Sequence, residues 1–199
     1  MFQSPTRFLR YLACILVGLP TWFVVGILIT LSPELSREMG VVGVTAGGAI
    51  MATYGGIAVG DFFSGWLSQV LQSRRKVIAL FLALTATLII FYAQSRGIGL
   101  TGFYALCFAL GVAVGYWALF VINAAEQFGT NIRATVTTTA PNFVRGAVPL
   151  MSTAFLAASK NYGMLGAAQI VGLASVAIAT IALLFLRETY GVDLDYVEE

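Results

Sequence analysis

The chain has 199 residues, of which 59% are hydrophobic and 10% charged, and a formal net charge of +2. A soluble domain carries roughly a quarter charged residues, so this composition suits lipid as solvent and leaves no room for a separate soluble catalytic domain. The basic residues form no nucleic-acid footprint, and with no histidine and no cysteine cluster a transition metal or haem has no obvious ligands, so no cofactor is expected.

A membrane-crossing helix needs about 20 apolar residues, and six stretches come close to or exceed that length. Arg7 and Arg10 stand at the start of the first, 8–31, which is too long for a signal-peptide core and shows no small-residue cleavage site. It is read as a retained span. Ser32-Pro33 breaks it before the second, 41–66. Gln72-Ser73 precedes the third, 76–93, and residues 94–99 the fourth, 101–123. Residues 126–131 separate the fourth from the fifth, 133–158; Lys160-Asn161 leads into the sixth, 163–187, and 188–199 forms a tail. In hydrocarbon every backbone polar group must find a partner within the segment or a closed barrel, and runs this long without strict alternation mean helices. The expected fold is an all-α integral membrane bundle of six helices.

Within these spans Gly56 and Gly60, and likewise Gly111 and Gly115, sit four residues apart and line one helix face, a spacing that lets backbones approach. Pro20, Pro141 and Pro149 should kink or unwind their helices. Cys14 and Cys107 lie in apolar spans and read as small core hydrophobes. Trp22, Tyr54, Tyr116 and Trp117 lie deep and are candidates for a cavity lining. Lysine and arginine counts set orientation: Arg7, Arg10, Arg74, Arg75, Lys76, Arg133 and Arg187 fall on one side, Arg37, Arg96 and Lys160 on the other. Both termini are therefore expected in the cytoplasm, with the protein multi-pass in the plasma (inner) membrane.

Three segments carry a family resemblance. The first is 60–68, containing Asp61 and Gly65, followed by Arg74-Arg75-Lys76. The second is 126–135, from Glu126 to Arg133-Ala134-Thr135. The third is Arg187-Glu188-Thr189-Tyr190-Gly191. In this order they resemble the major facilitator superfamily of secondary transporters, the sugar and organic-acid porters in particular. The first resembles the loop between the second and third helices of each half, with Gln69 where an acidic residue is usual. The second resembles the loop before the eleventh helix and the third the signature closing the twelfth. The resemblance implies one six-helix half of a twelve-helix fold built of 3+3 inverted repeats, with a second half or another copy of the chain as partner. It also implies a cytoplasmic gate of Asp61, Gly65, Arg74, Arg75, Lys76, Glu126 and Arg133, and a substrate site near the membrane midplane between halves.

Arg145 is the strongest pointer to function. It lies twelve residues after Arg133, about 18 Å along a helix, where a cation costs about 2.5–3.5 kcal/mol on insertion scales. By linear counting no carboxylate shares its depth: Glu34 and Glu38 fall in one loop, Asp61 and Glu126 near the opposite boundary, and Glu188, Asp193, Asp195, Glu198 and Glu199 in the tail. Three readings stand. Arg145 binds an anionic cargo through its planar fork, pairs with an acid of the other half, or is satisfied by carbonyls freed around Pro141 and Pro149 and by Asn142. Asn142, one turn earlier, is a further substrate-binding candidate; Gln169 ranks below it. The expected function is secondary transport of a small solute, an organic anion or sugar. A non-transporting half-transporter or assembly subunit is the alternative. No nucleophile–base pair or phosphate loop suggests an enzyme or an ATP-driven pump.

Overall fold

The computed structural model describes residues 4–193 and 195–197, and all regular structure within them is helical. Three tail residues, Leu194, Glu198 and Glu199, lie outside the described set.

The first stretch is a helix in three registers. Pro5 opens α1 (Pro5–Val17) at its first turn, where a missing N–H costs nothing. Gly18 ends α1, and α2 (Leu19–Phe23) restarts with Pro20 in its own first turn. The chain then widens into a π-helix, Val24–Ile29, whose looser i→i+5 pattern is matched by the Thr30 hydroxyl donating to the Val25 carbonyl at 3.0 Å. A short helix, α3 (Ser32–Glu38), turns the chain toward α4 (Ala46–Val70), which Thr45 caps by accepting from the Gly48 N–H at 3.1 Å. Helix α5 (Arg74–Gln94) starts on a Ser73 cap.

The remaining helices are also interrupted. Helix α6 (Gly99–Val114) stops at Gly115, and α7 (Trp117–Glu126) follows after Tyr116. Helix α8 (Thr130–Gly146) accommodates Pro141 internally, and α9 (Val148–Phe185) begins with Pro149 in its first turn. Gly163, at φ 70° and ψ 172°, divides α9 into residues 148–162 and 164–185. That conformation excludes most side chains. Beyond it the helix restarts with the Met164 N–H donated to Glu38 Oε2 at 3.0 Å, so a carboxylate caps a helix N-terminus. Pro20 and Pro149 therefore restart helices, and Pro141 alone sits within one.

Four helical segments are long and apolar enough to cross a membrane: Pro5–Ile29, Arg74–Gln94, Gly99–Glu126 and Thr130–Phe185. Helix α4 is 25 residues long but falls outside this set, because glycine, serine, threonine and Asp61 dilute its hydropathy. The dilution has a packing purpose. Its buried residues Ala49, Thr53, Gly56, Gly60, Ser64 and Ser68 form a stripe of small side chains, of which Thr53, Gly56 and Gly60 pack against α6 and Gly115 just beyond it. A Cβ on Gly56 would overlap the Phe108 carbonyl oxygen, and one on Gly115 would lie 2.5 Å from Gly60 Cα. The close approach lets Thr53 Oγ1 donate to the Cys107 carbonyl at 3.2 Å. The Gly56/Gly60 and Gly111/Gly115 faces read from the sequence are thus the two sides of one helix–helix contact.

The core lies where α1, α2, α5, α6, α7 and α9 meet, around Phe23, Leu28, Phe103 and Phe120. Cys14 and Cys107 are buried and free, as their apolar setting suggested.

Candidate functional site

Two groups of polar residues stand out, at different levels of the bundle. The first gathers at one end, where α5 begins and α7 and α9 finish. Glu188 follows the end of α9 and caps α5: its carboxylate accepts from the Ser73 hydroxyl, from Arg74 N at 2.8 Å and from Arg75 N at 3.3 Å. Arg74 reaches back to Glu126 at the end of α7. Its Nη2 lies 3.3 Å and its Nε 3.4 Å from the two carboxylate oxygens, while Nη1 donates to Ser68 at 2.6 Å. Tyr190 lies under the same guanidinium at 5.3 Å, and Thr189 donates to Glu126 at 2.6 Å. Four elements are thus tied by one arginine and two carboxylates. Burial would raise the Glu188 pKa, but the Ser73 hydroxyl and the amides of Arg74, Tyr190 and Arg75 outweigh it and hold the group below its ordinary value of 4.5.

Of the residues expected at this gate, Arg74 and Glu126 meet. Arg75 is half-buried and its Nε has no hydrogen-bond partner, and Lys76 is exposed. Arg133 donates from Nε to the Phe128 carbonyl at 3.2 Å. Gly65 opposes no backbone, since a Cβ there would meet open space. Asp61 is elsewhere, which corrects its expected position beside the basic triplet. The reason is helix length: α4 runs on to Val70, so nine residues, about 13 Å, separate Asp61 from its end.

Ser68, Ser73, Glu188, Thr189 and Tyr190 were not foreseen in the cluster. The segment from Arg187 to Gly191 was conspicuous in the sequence, but only the fold shows that it lands on the N-terminus of α5.

The second group lies at the break between α6 and α7. Asp61 Oδ1 accepts from the Ala118 N–H at 2.9 Å and so caps α7 from the side of α4. The neighbouring Trp117 ring stacks on Phe120 at 4.9 Å and meets Trp22 edge-on at 6.2 Å. Above Trp22, from α8, lies Arg145, its Cζ 4.9 Å from the ring centroid. The four residues come from four elements in lateral order, α8, α2, α7 and α4. Asp61 is therefore the carboxylate that this run of contacts links to Arg145, whereas linear counting put it at a boundary. No ion pair joins the two; the indoles stand between.

Arg145 is exposed, and so are Thr135, Thr138 and Asn142, which share its face of α8 at helical spacing. Thr138 donates to the Ala134 carbonyl and Asn142 to the Thr138 carbonyl, both at 2.8 Å, so part of their capacity is used within the helix. Beside Asn142 a groove of about 600 Å³ opens between Thr139, Phe143 and Leu150. Tyr54 is exposed on α4, two turns before Asp61 and on the same face. Tyr116 is not on this surface. It is fully buried, and its hydroxyl donates to the Val17 carbonyl at 2.9 Å. The larger groove, about 650 Å³ between α1 and the end of α9, is lined chiefly by aliphatic residues.

Among the described residues no cluster could hold a metal ion. No family model and no curated protein matches the chain.

Proposed function

We propose that this chain is a six-crossing half of a secondary transporter of the major facilitator type, moving a small solute, an organic anion or a sugar, by alternating access. In this reading α4 and the two parts of α9 cross the membrane along with the other apolar segments, both termini face the cytoplasm, and a second half or another copy supplies the facing wall.

The observation that carries the reading is Arg145. It is exposed and lies over the Trp22 ring, and among the described residues no carboxylate forms an ion pair with it. Facing lipid, it would cost about 2.5–3.5 kcal/mol on insertion scales, and a cation–π contact returns only about 0.5–2 kcal/mol. Thr135, Thr138 and Asn142 on the same face would add to the cost. A face of this kind is stable against water or a polar partner, and that is what a solute pathway supplies. Discontinuous helices, as at Gly18, the π-helix and Gly115, are what midplane sites of such transporters are built from. The Arg74–Glu126–Glu188 cluster fits a latch that closes one end and opens when the bundles rock.

The test is uptake into liposomes containing the protein as purified, with any co-purifying partner. Arg145→Ala should abolish uptake of the transported solute while the protein keeps its elution position and helical circular dichroism. Undiminished uptake by this variant would overturn the proposal.

A further inference from the structure

The wall has two charged ends, and this narrows what it would bind. On its α8 side Arg145 offers a planar fork suited to a carboxylate. On its α4 side Asp61 spends Oδ1 on the Ala118 N–H, and an ionised carboxylate accepts several hydrogen bonds in all. Ala118 itself is exposed, so this corner is open. Between the ends lie the two indoles, with ring centroids 6.2 Å apart. Trp22 Nε1 is itself buried and has no hydrogen-bond partner.

We infer that the wall selects a dipolar solute whose carboxylate meets Arg145 and whose ammonium meets Asp61, with an apolar middle lying over Trp22 and Trp117. The inference rests on the transporter reading for its cargo, and it names the class. A solute with one negative end would leave Asp61 facing it uncompensated, and one with a single positive end would do the same to Arg145. An α-amino acid carries both charges on one carbon and cannot span two ring systems. The fit is a solute with its charges several bonds apart, such as an ω-amino acid or a short peptide with free ends.

The probe is 6-aminohexanoate, compared with hexanoate, hexylamine and leucine. Binding is read by tryptophan fluorescence on the Trp66→Phe background, which leaves only Trp22 and Trp117 as reporters. The expected result is binding of 6-aminohexanoate at least tenfold tighter than of the other three. Asp61→Asn keeps a side-chain oxygen to accept from the Ala118 N–H, so it should leave the fold intact, bring 6-aminohexanoate down to the level of hexanoate and leave hexanoate unweakened. Arg145→Gln should lose hexanoate and spare hexylamine. Equal binding of hexanoate and 6-aminohexanoate, equal loss of both in Asp61→Asn, or no binding of any probe would overturn the inference. Counterflow in liposomes separates it from the transporter reading. Dipolar preference without counterflow sinks transport and keeps the site; hexanoate counterflow without dipolar preference does the reverse.

Discussion

Glu188 shows how one side chain can join the end of a chain to the start of a distant helix. It accepts from the amides of Arg74 and Arg75, as a carboxylate at a helix N-terminus should, and it is also the partner of the Ser73 cap. Its pKa is held below the ordinary 4.5. A carboxyl depressed in the folded state stabilises fully above its unfolded pKa, and that contribution fades as pH falls through the folded value. The melting temperature in detergent should therefore drop in the acid range below about pH 4.5. Glu188→Gln should start lower at pH 7 and show a shallower acid loss, because glutamine has no proton to gain. Parallel melting curves for the two proteins between pH 7 and pH 3 would show that Glu188 does not anchor α5. Arg74, with side-chain exposure of 13%, ties the same cluster to Glu126, so losing both carboxylates should cost more than either alone predicts.

At the scale of elements, the α4–α6 contact is set by what is missing from the sequence. The Cβ positions of Gly56, Gly60, Gly111 and Gly115 are occupied by backbone of the opposite helix. Overpacking a tight contact typically costs about 1–3 kcal/mol, and here the obstructing atoms are main chain, which cannot rotate away. Gly56→Ala and Gly111→Ala should each lower thermal stability by an amount at the upper end of that range, whereas Gly65→Ala, with open space at its Cβ, should be neutral or slightly stabilising. Equal effects at Gly56 and Gly65 would dissociate this packing from stability. These faces were legible in the sequence because a four-residue glycine spacing is a local pattern. The apolar stretches were legible for the same reason, although α4 starts at Ala46 and ends at Val70, where hydropathy suggested 41–66. That shift moved Asp61 from the end of α4 into its interior, against the start of α7. The interruption at Gly18 was signalled by Pro20, whereas the π-helix and the break at Gly115–Tyr116 were hidden, because apolar side chains continue straight through them. The capping of α9 by Glu38 and of α5 by Glu188 was hidden too, since both join residues more than a hundred positions apart.

For the whole molecule, the decisive question is what covers each exposed surface. Phe62 and Trp66 on α4 and Leu184 and Phe185 on α9 are exposed and apolar, which lipid satisfies. The face of α8 with Thr138, Asn142 and Arg145 is exposed and polar, which lipid does not. Cysteine reactivity distinguishes the two, and the native thiols do not interfere because Cys14 and Cys107 are both buried. In membranes, Thr138→Cys and Asn142→Cys should react quickly with a small, membrane-impermeant thiol reagent, and 6-aminohexanoate should slow the reaction at Asn142→Cys. Leu184→Cys should stay inert, since a thiol in hydrocarbon neither ionises nor meets a charged reagent. If the α8 positions are as inert as Leu184, the face is dry. It would then be packed against a protein partner with no water path, and the chain would be an assembly subunit that moves nothing. Reactive α8 positions in a protein that sediments as two six-helix units would place water between two walls, the arrangement that alternating access requires.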